Sequence, residues 1–315
     1  MAIIGTLLPL NRSKYWFVRD QVYFRAYYLI ANCLMACAYL FLDIPLILVA
    51  IAITLHLACI FICLRSIWPY FYIHKVSVPG DSKDQQSVPL KLLVFNVLHT
   101  NEDYQAFLDL VQRDSPDAIL LLEPGQAWDT GIADLYHDYV HSVKDIKENT
   151  YGIIFMSRIP FIESKVNYLV SESTPSIEVL MSIAGRQIRV YGLHPEPPIP
   201  GEQSTSKPKD LEILLTAKKI KSQPDRELDI LIGDLNDVGW SKVSNKFKKI
   251  TGLKDPRVGR GFYATFPTYF PLRIPIDHIF CSSGFLLKDI TRHTNIGSDH
   301  FPVSATFLIP QEQNI

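Results

Sequence analysis

The sequence predicts an α/β domain of two packed mixed sheets with outer helices, preceded by a transmembrane helical hairpin. Three observations predict this. Two long apolar runs without a basic residue lie near the N-terminus. Beyond position 90, apolar segments of strand length alternate with amphipathic helical ones, the mixture that builds sheets covered by helices. Polar residues with chemical capacity recur at the ends of those strands.

The composition bounds the reading. The chain has 315 residues, of which 48% are hydrophobic and 20% charged, too apolar for a disordered polymer. A net charge of −1 excludes a polyanion-binding design spread over the whole chain, but not a local basic patch. No repeat of solenoid period appears.

The N-terminal element comes first. Ala26–Leu42 carries no charge, and Pro45–Leu64 has His56 as its single ionisable side chain apart from cysteines. Each run is long enough, or nearly so, for a hydrocarbon core of roughly 30 Å. Asp43-Ile44-Pro45 separates them, and proline suits a first helical turn. Tyr15, Trp16, Tyr23, Tyr27, Tyr28, Trp68, Tyr70 and Tyr72 gather at the open end, as an interfacial aromatic belt does. The competing reading is a hairpin buried in a soluble core. His56 lacks a partner carboxylate and reads as a tolerated polar contact. Cys33, Cys37, Cys59 and Cys63 read as small apolar residues on helix faces, and Cys281 stands alone.

The anchor is therefore placed at residues 1–73, with spans at about 26–42 and 45–64, in a multi-pass arrangement. Arg12, Lys14, Arg19 and Arg25 precede the first span, and Arg65 and Lys75 follow the second, which places both ends in the cytoplasm. MAIIGTLLPL reads as the tail of a further apolar segment, and an upstream span would invert that orientation. The side stays open.

Residues 74–89 are polar with Pro and Gly and read as a linker. The polar domain follows at 90–309, with a tail at 310–315. Strands are expected at Leu90–Val97, Ala118–Leu122, Tyr151–Met156, Ile177–Ile183, Gln187–Leu193, Leu228–Ile232, Ile276–Phe280, Phe285–Arg292 and Pro302–Leu308. Helices are expected at Glu102–Arg113 and Asp210–Lys221.

The candidate site residues share a position. Asn96 ends LLVFN, Glu123 ends AILLLE, His194 ends IRVYGLH, and Asp234 and Asn236 end DILIGDLN. Asp277 lies in IPIDHIF, and Asp299-His300 precedes FPVSATFL. Carboxylates held at a sheet rim make a hard oxygen-donor site, which selects Mg²⁺ or Mn²⁺ over Zn²⁺. Such an ion suits hydrolysis of phosphodiesters or phosphomonoesters. His194 and His300 are candidate donors to developing negative charge, with Asp277 or Asp299 as the partner that fixes a tautomer. Singly, each is also a common turn or cap residue.

In this order LKLLVFNV, AILLLEP, YGIIFMSRIP, VYGLHPEPP, LIGDLND, IDHIF and GSDHFPV resemble the successive motifs of the endonuclease/exonuclease/phosphatase superfamily, the DNase I-like fold, and in particular a bacterial membrane-anchored branch. The resemblance covers roughly residues 90–309. It implies a four-layer α/β sandwich and divalent-metal hydrolysis. It also implies roles: Glu123 as main metal ligand with Asn96 beside it, and Asp299 as a further metal-side carboxylate. Asp234 would orient or deprotonate the attacking water, Asn236 would hold the phosphate, and His300, oriented by Asp277, would stabilise it. His194 matches a second imidazole of the DNase- and sphingomyelinase-like branches. Abasic-site endonucleases have a Tyr near that stage, so LHPEPP speaks against that repair role.

The expected activity is a membrane-anchored, Mg²⁺- or Mn²⁺-dependent phosphoesterase, acting as nuclease, phosphatase or lipid phosphodiesterase. Its partners would be a phosphate-ester substrate (nucleic acid, phospholipid or small ester) and the bilayer. The alternative is a non-catalytic membrane-tethered binding domain on the same fold. Basic runs at Lys218, Lys219 and Lys221 and at Lys242, Lys246, Lys248 and Lys249 either track a phosphate backbone or are solvated helix faces. Phe262, Tyr263, Phe266, Tyr269 and Phe270 either line a cleft, dip into the membrane interface or pack a core.

Overall fold

The computed structural model describes residues 1–11, 13–81, 86–198, 205–224 and 226–311. Arg12 and most of the expected tail lie outside them.

A short helix α1 (Ala2–Leu7) and a single turn α2 (Trp16–Arg19) precede two long helices, α3 (Arg25–Ala38) and α4 (Leu46–Ile67). The chain turns between the long pair at Asp43-Ile44-Pro45, with Pro45 as the N-cap of α4. Their outward faces expose Ile30, Leu34, Leu46, Ile47, Ile51, Leu57 and Phe61. A helix pair inside a soluble core would bury such residues. At 22 residues, α4 is about 33 Å long, and two helical stretches, Trp16–Phe41 and Leu46–Tyr70, are long and apolar enough to cross a membrane by length and composition. The contact between them is polar: His56 Nδ1 lies 2.7 Å from the Asn32 Oδ1, and Asn32 Nδ2 donates to Thr6 Oγ1 of α1 at 3.2 Å.

The rest of the chain forms β1 (Ser87–Asn96), α5 (Tyr104–Asp114), β2 (Ala118–Leu122), α6 (Gln126–Gly131), β3 (His141–Asp145), β4 (Ile153–Ser157), β5 (Phe161–Asn167), β6 (Ser176–Ile183) and β7 (Arg186–Leu193). It continues with α7 (Lys207–Ser222), β8 (Leu228–Asp234), α8 (Lys242–Thr251), β9 (Asp277–Cys281), β10 (Leu286–Arg292) and β11 (Val303–Pro310). A six-stranded sheet runs β10-β11-β1-β2-β4-β3, and a five-stranded sheet runs β5-β6-β7-β8-β9. Their inner faces meet in one core that includes Leu92, Leu120, Phe155, Val179, Val190 and Ile230. The outer face of the first sheet is covered by α5 through Phe107 and Leu110, with Trp128 of α6. Ile213 and Ala217 of α7 and Phe247 of α8 cover the second. This is the four-layer sandwich with a helical hairpin in front of it.

Local sequence explains the key elements. Asp103 caps α5 by accepting from Ala106 N, and Ser241 caps α8 by accepting from Ser244 N. Ala184 and Gly185, both at positive φ, close the β6–β7 hairpin. In each sheet the two central strands are parallel, β1 with β2 and β7 with β8, so four C-terminal strand ends share one rim. Parts of residues 74–89 are not free linker. β1 already begins at Ser87, opposite Pro310, and Val78 is buried while its carbonyl accepts from Arg260 Nη2 at 2.7 Å.

The hairpin foot is docked onto the sandwich. Ile67, Tyr70 and Phe71 join Val22, Phe24, Ala26 and Leu29 in a cluster with Val238, Trp240, Phe262, Phe266, Ile274 and Ile276. Trp240 Nε1 donates to the Val22 carbonyl at 2.8 Å, Tyr27 Oη to the Arg273 carbonyl at 2.8 Å, and Tyr70 Oη to Asp255 Oδ2 at 2.9 Å.

Candidate active site

Each strand end delivers one side chain to the shared rim. Asn96 is the last residue of β1, Glu123 follows β2, His194 follows β7, and Asp234 ends β8 opposite Asp277, the first residue of β9. Buried strands fix these positions to within the play of a packed core. Gly233 has φ +144, and a Cβ there would lie 1.9 Å from the Leu193 carbonyl oxygen, so only glycine lets β7 and β8 end this close together. Glu123 and Asn236 adopt left-handed backbone (φ 64 and 48), a conformation that costs a side-chain-bearing residue about 1 kcal/mol or more and gathers at functional sites.

The side chains converge. Asn96 Nδ2 donates to Glu123 Oε1 at 2.7 Å and lies 3.4 Å from Asp234 Oδ2. His194 Nε2 is 3.7 Å from Glu123 Oε1 and 3.9 Å from Asp234 Oδ2. His300 Nε2 approaches the same Asp234 oxygen at 3.5 Å, and its Nδ1 is 2.8 Å from Asp277 Oδ2. Asp234, Asp277 and His300 offer three ligand atoms within 4.8 Å of one another. Asp277, rather than Asp299, is thus the partner of His300. The Asp299 side chain is approached by Ser298 Oγ at 3.4 Å, and its carbonyl accepts from Thr268 N at 2.9 Å. The Asn236 backbone N–H donates to Asp234 Oδ1 at 2.8 Å, and its side-chain amide to the Pro195 carbonyl at 3.0 Å.

Burial and mutual charge push these groups apart. Burial resists the His300 proton, but Asp277, Asp234 and Asp299 together outweigh it and raise its pKa to about 10. Asp277 is correspondingly held below the usual carboxylate range: burial opposes its charge, but His300 prevails. Burial, reinforced by the nearby His300 charge, lowers His194 to about 3, so it is neutral. Burial lifts Asp234 to about 7 despite His300, and lifts Glu123 as well despite its bond from Asn96. One imidazolium, one neutral imidazole and a carboxyl poised near neutrality form the division of protonation that acid–base chemistry requires. The Glu123 and Asp234 carboxylate oxygens are hard donors of the kind a divalent cation takes, while Asn96 turns its amide nitrogen to them and its Oδ1 accepts from Leu98 N at 3.1 Å. Among the described residues no group of His, Cys, Asp and Glu with ligand geometry involves the cysteines.

Sequence reading missed the supports. Ser298 Oγ donates to the Asn96 carbonyl at 2.7 Å and accepts from His300 N at 3.0 Å, tying the two halves of the rim together. It stands within GSDHFP, so the motif already contained it. Arg257 Nη1 donates to the Asp277 carbonyl at 3.1 Å while the guanidinium pairs with buried Asp255. Lys209 Nζ and Tyr23 Oη both donate to the Asn236 carbonyl, at 2.8 and 2.7 Å. No local pattern marks these two residues.

Three of the seven lysines in the basic runs are engaged internally. Lys219 Nζ meets Glu178 and Asn167, Lys242 Nζ the Pro9 carbonyl, and Lys248 Nζ the Gly239 carbonyl. The aromatic set divides: Phe262 and Phe266 pack at the hairpin foot, Tyr263 packs against the inter-sheet core, and Tyr269 and Phe270 are exposed.

A family profile described as the endonuclease/exonuclease/phosphatase family matches residues 93–300, more than half of the chain. The chain belongs to the endonuclease/exonuclease/phosphatase family. Members of this family are typically metal-dependent phosphoesterases. A search of curated proteins finds no match. Solved structures similar to this family member include Danio rerio TDP2 complexed with a single-strand DNA product, with 17% identity and a TM-score of 0.60, covering 70% of this chain and 98% of that one. An endonuclease/exonuclease/phosphatase family protein from Bacteroides thetaiotaomicron is 18% identical with a TM-score of 0.57, covering 74% and 99%. The human Nocturnin catalytic domain with a bound sulfate anion is 16% identical with a TM-score of 0.57, covering 71% and 97%. At these identities the likeness is one of fold.

Proposed function

We propose that this family member is a membrane-anchored phosphoesterase that uses Mg²⁺ or Mn²⁺ to hydrolyse phosphodiester or phosphomonoester bonds. The observation that carries the reading is the meeting of His194 and His300 on one Asp234 oxygen, with Glu123 and Asn96 alongside. Glu123 would be the main residue holding the ion, with Asn96 and Asp299 assisting. The ion supplies charge stabilisation at the phosphoryl oxygens and a more acidic water.

The protein's own residues do the rest. Asp234, near neutrality, takes the proton of the attacking water. His300, kept protonated by Asp277, donates to a phosphoryl oxygen as charge builds. Neutral His194 is a second donor, and Asn236 holds the phosphate. The two spans of the hairpin hold the protein in the bilayer. Residues 74–89 connect it to a catalytic domain over 90–309. Full retention of the polar set favours catalysis over a tethered binding role.

The test uses the full chain in detergent. Hydrolysis of bis-(p-nitrophenyl) phosphate should require Mg²⁺ or Mn²⁺ and vanish in Glu123→Ala. Turnover unaffected by chelation, or surviving that substitution intact, contradicts the reading.

A further inference from the structure

We propose that the phosphate ester hydrolysed here is carried on a membrane lipid, and that the Pro267–Arg273 loop contacts the bilayer beside the site. The inference rests on the phosphoesterase reading above and names its substrate.

The site stands one side chain away from the hairpin. The Phe266 ring lies 4.8 Å from the His300 ring and packs in the cluster with Phe24, Ala26 and Leu29 at the foot of α3. From Phe266 the chain makes an excursion that closes at Ile274, where the two residues exchange backbone hydrogen bonds of 3.1 and 2.6 Å. The excursion PTYFPLR has no charge before its last residue. Its outer side chains are apolar and open: Tyr269 is 78% exposed, Phe270 50% and Leu272 43%.

Both ends of the excursion are anchored. On the catalytic side, Thr268 N donates to the Asp299 carbonyl and Thr268 Oγ1 to the Ser298 carbonyl at 2.7 Å. On the membrane side, Tyr27 Oη donates to the Arg273 carbonyl at 2.8 Å. Tyr27 lies in the first turn of α3, so the loop stands where that helix begins its apolar course. Aromatic side chains at such a level settle in the headgroup region, as Trp and Tyr belts do. Arg273 stacks on the ring of Phe301, the residue after His300, at 4.8 Å, so the loop ends in a cation. A guanidinium there meets the anionic face of a lipid headgroup.

A nucleic acid would need a row of free cations along a groove. The loop beside the site offers it Arg273 alone, and of the seven lysines in the basic runs Lys219, Lys242 and Lys248 are tied to internal acceptors. In the lipid reaction, water oxygen bonds to phosphorus, the P–O bond to the leaving alcohol breaks, and the proton released by water passes to that alkoxide. No oxidant or second reactant is needed.

The experiment uses the full chain in mixed micelles with Mn²⁺. Separate arms contain phosphatidic acid, phosphatidylglycerol, a phosphatidylinositol phosphate, glycerol phosphate, plasmid DNA and bis-(p-nitrophenyl) phosphate. The expected result is release from a lipid arm well above glycerol phosphate and DNA. Tyr269→Ser/Phe270→Ser should lower lipid hydrolysis at least tenfold, mainly through KM, and leave bis-(p-nitrophenyl) phosphate turnover within twofold. In a parallel readout, Tyr269→Trp should add fluorescence that brominated phosphatidylcholine quenches beyond the parent. Cleavage of DNA or glycerol phosphate without any lipid arm, equal loss on both ester types, or no added quenching overturns the lipid assignment alone. Silence on every ester, the soluble one included, overturns the phosphoesterase reading beneath it.

Discussion

The phenolic oxygen of Tyr23 lies 2.7 Å from the backbone carbonyl oxygen of Asn236, to which it donates, across a sequence separation of 213 positions. The bond joins the segment leading into α3 to the loop that follows Asp234. Lys209 Nζ donates to the same carbonyl and to the Tyr23 hydroxyl, both at 2.8 Å. The segment leading into the hairpin is therefore part of the support of the site.

Weakening this clamp should slow turnover. Tyr23→Phe removes one hydrogen bond, a loss of about 1 kcal/mol. Lys209→Met removes a buried charged donor and leaves Asp237 without a cation 3.8 Å away, which costs about 2–3 kcal/mol. With Asn236 released from its left-handed conformation, kcat on a soluble ester should fall several-fold in the first variant and about tenfold or more in the second, with KM little changed. Steady-state kinetics beside a thermal melt in detergent checks this. Lower melting temperatures with wild-type kcat would reduce the clamp to a structural bond.

Asp277→Asn should disable His300. The carboxylate is what overcomes burial and holds the imidazolium. With the amide in its place, His300 loses its proton at lower pH, so the alkaline limb of the pH–rate profile moves towards acid. Loss of a positioned proton donor costs about 10²-fold or more. A rate profile with an unmoved alkaline limb would exclude His300 as the charged donor.

Glu212 should make stability fall with pH. Its carboxyl is 2% exposed in α7 and rises from an ordinary 4.5 to about 8 through burial, with Glu196 adding to it. Between those values the folded chain holds a proton that the unfolded chain has released. Stability therefore declines as pH rises from 4.5 towards 8, by at most about 1.4 kcal/mol per unit, and levels off above that. Glu212→Gln should flatten the slope, read from denaturant midpoints at pH 5, 6.5 and 8. An unchanged slope would show that the group is not protonated in the folded state.

Asp255 ties the hairpin foot to the catalytic strand β9. It pairs with Arg257 at 2.9 Å and accepts from Tyr70, while Arg257 donates to the Asp277 carbonyl. Burial opposes its charge, but Arg257 holds its pKa far below the usual carboxylate range. Asp255→Asn leaves a buried guanidinium without its counter-charge, a loss of about 3–5 kcal/mol. The melting midpoint of the full chain in detergent should drop accordingly. A shift within error would mean that Arg257 finds another partner.

Legibility in the sequence followed burial. β2, β4 and β8 are wholly buried, so their uniform apolar runs stand out, and the polar residues ending β2 and β8, Glu123 and Asp234, are candidates by position. The edge strands β3 and β5 were not anticipated. His141–Asp145 and Phe161–Asn167 present mostly half-exposed or exposed side chains, several of them charged, and so lack an apolar run. α8 read only as a lysine run, because its buried face is little more than Val243 and Phe247. Glu123, His194 and His300 were found through strand ends and motif order, whereas Tyr23 and Lys209 act through one backbone carbonyl. Backbone acceptors leave no trace in side-chain patterns, so contacts of that kind appear only when the chain is folded.

The proposed chemistry requires one hard cation held by Glu123, with Asn96 and Asp299, beside Asp234 and His300. Crystals of the full chain grown with Mn²⁺ and measured at the manganese edge test it most directly. An anomalous peak is expected within coordination distance of the Glu123 carboxylate, absent from Glu123→Ala crystals. A cleft without a peak at saturating Mn²⁺, or a peak that persists at full height in the variant, would contradict it.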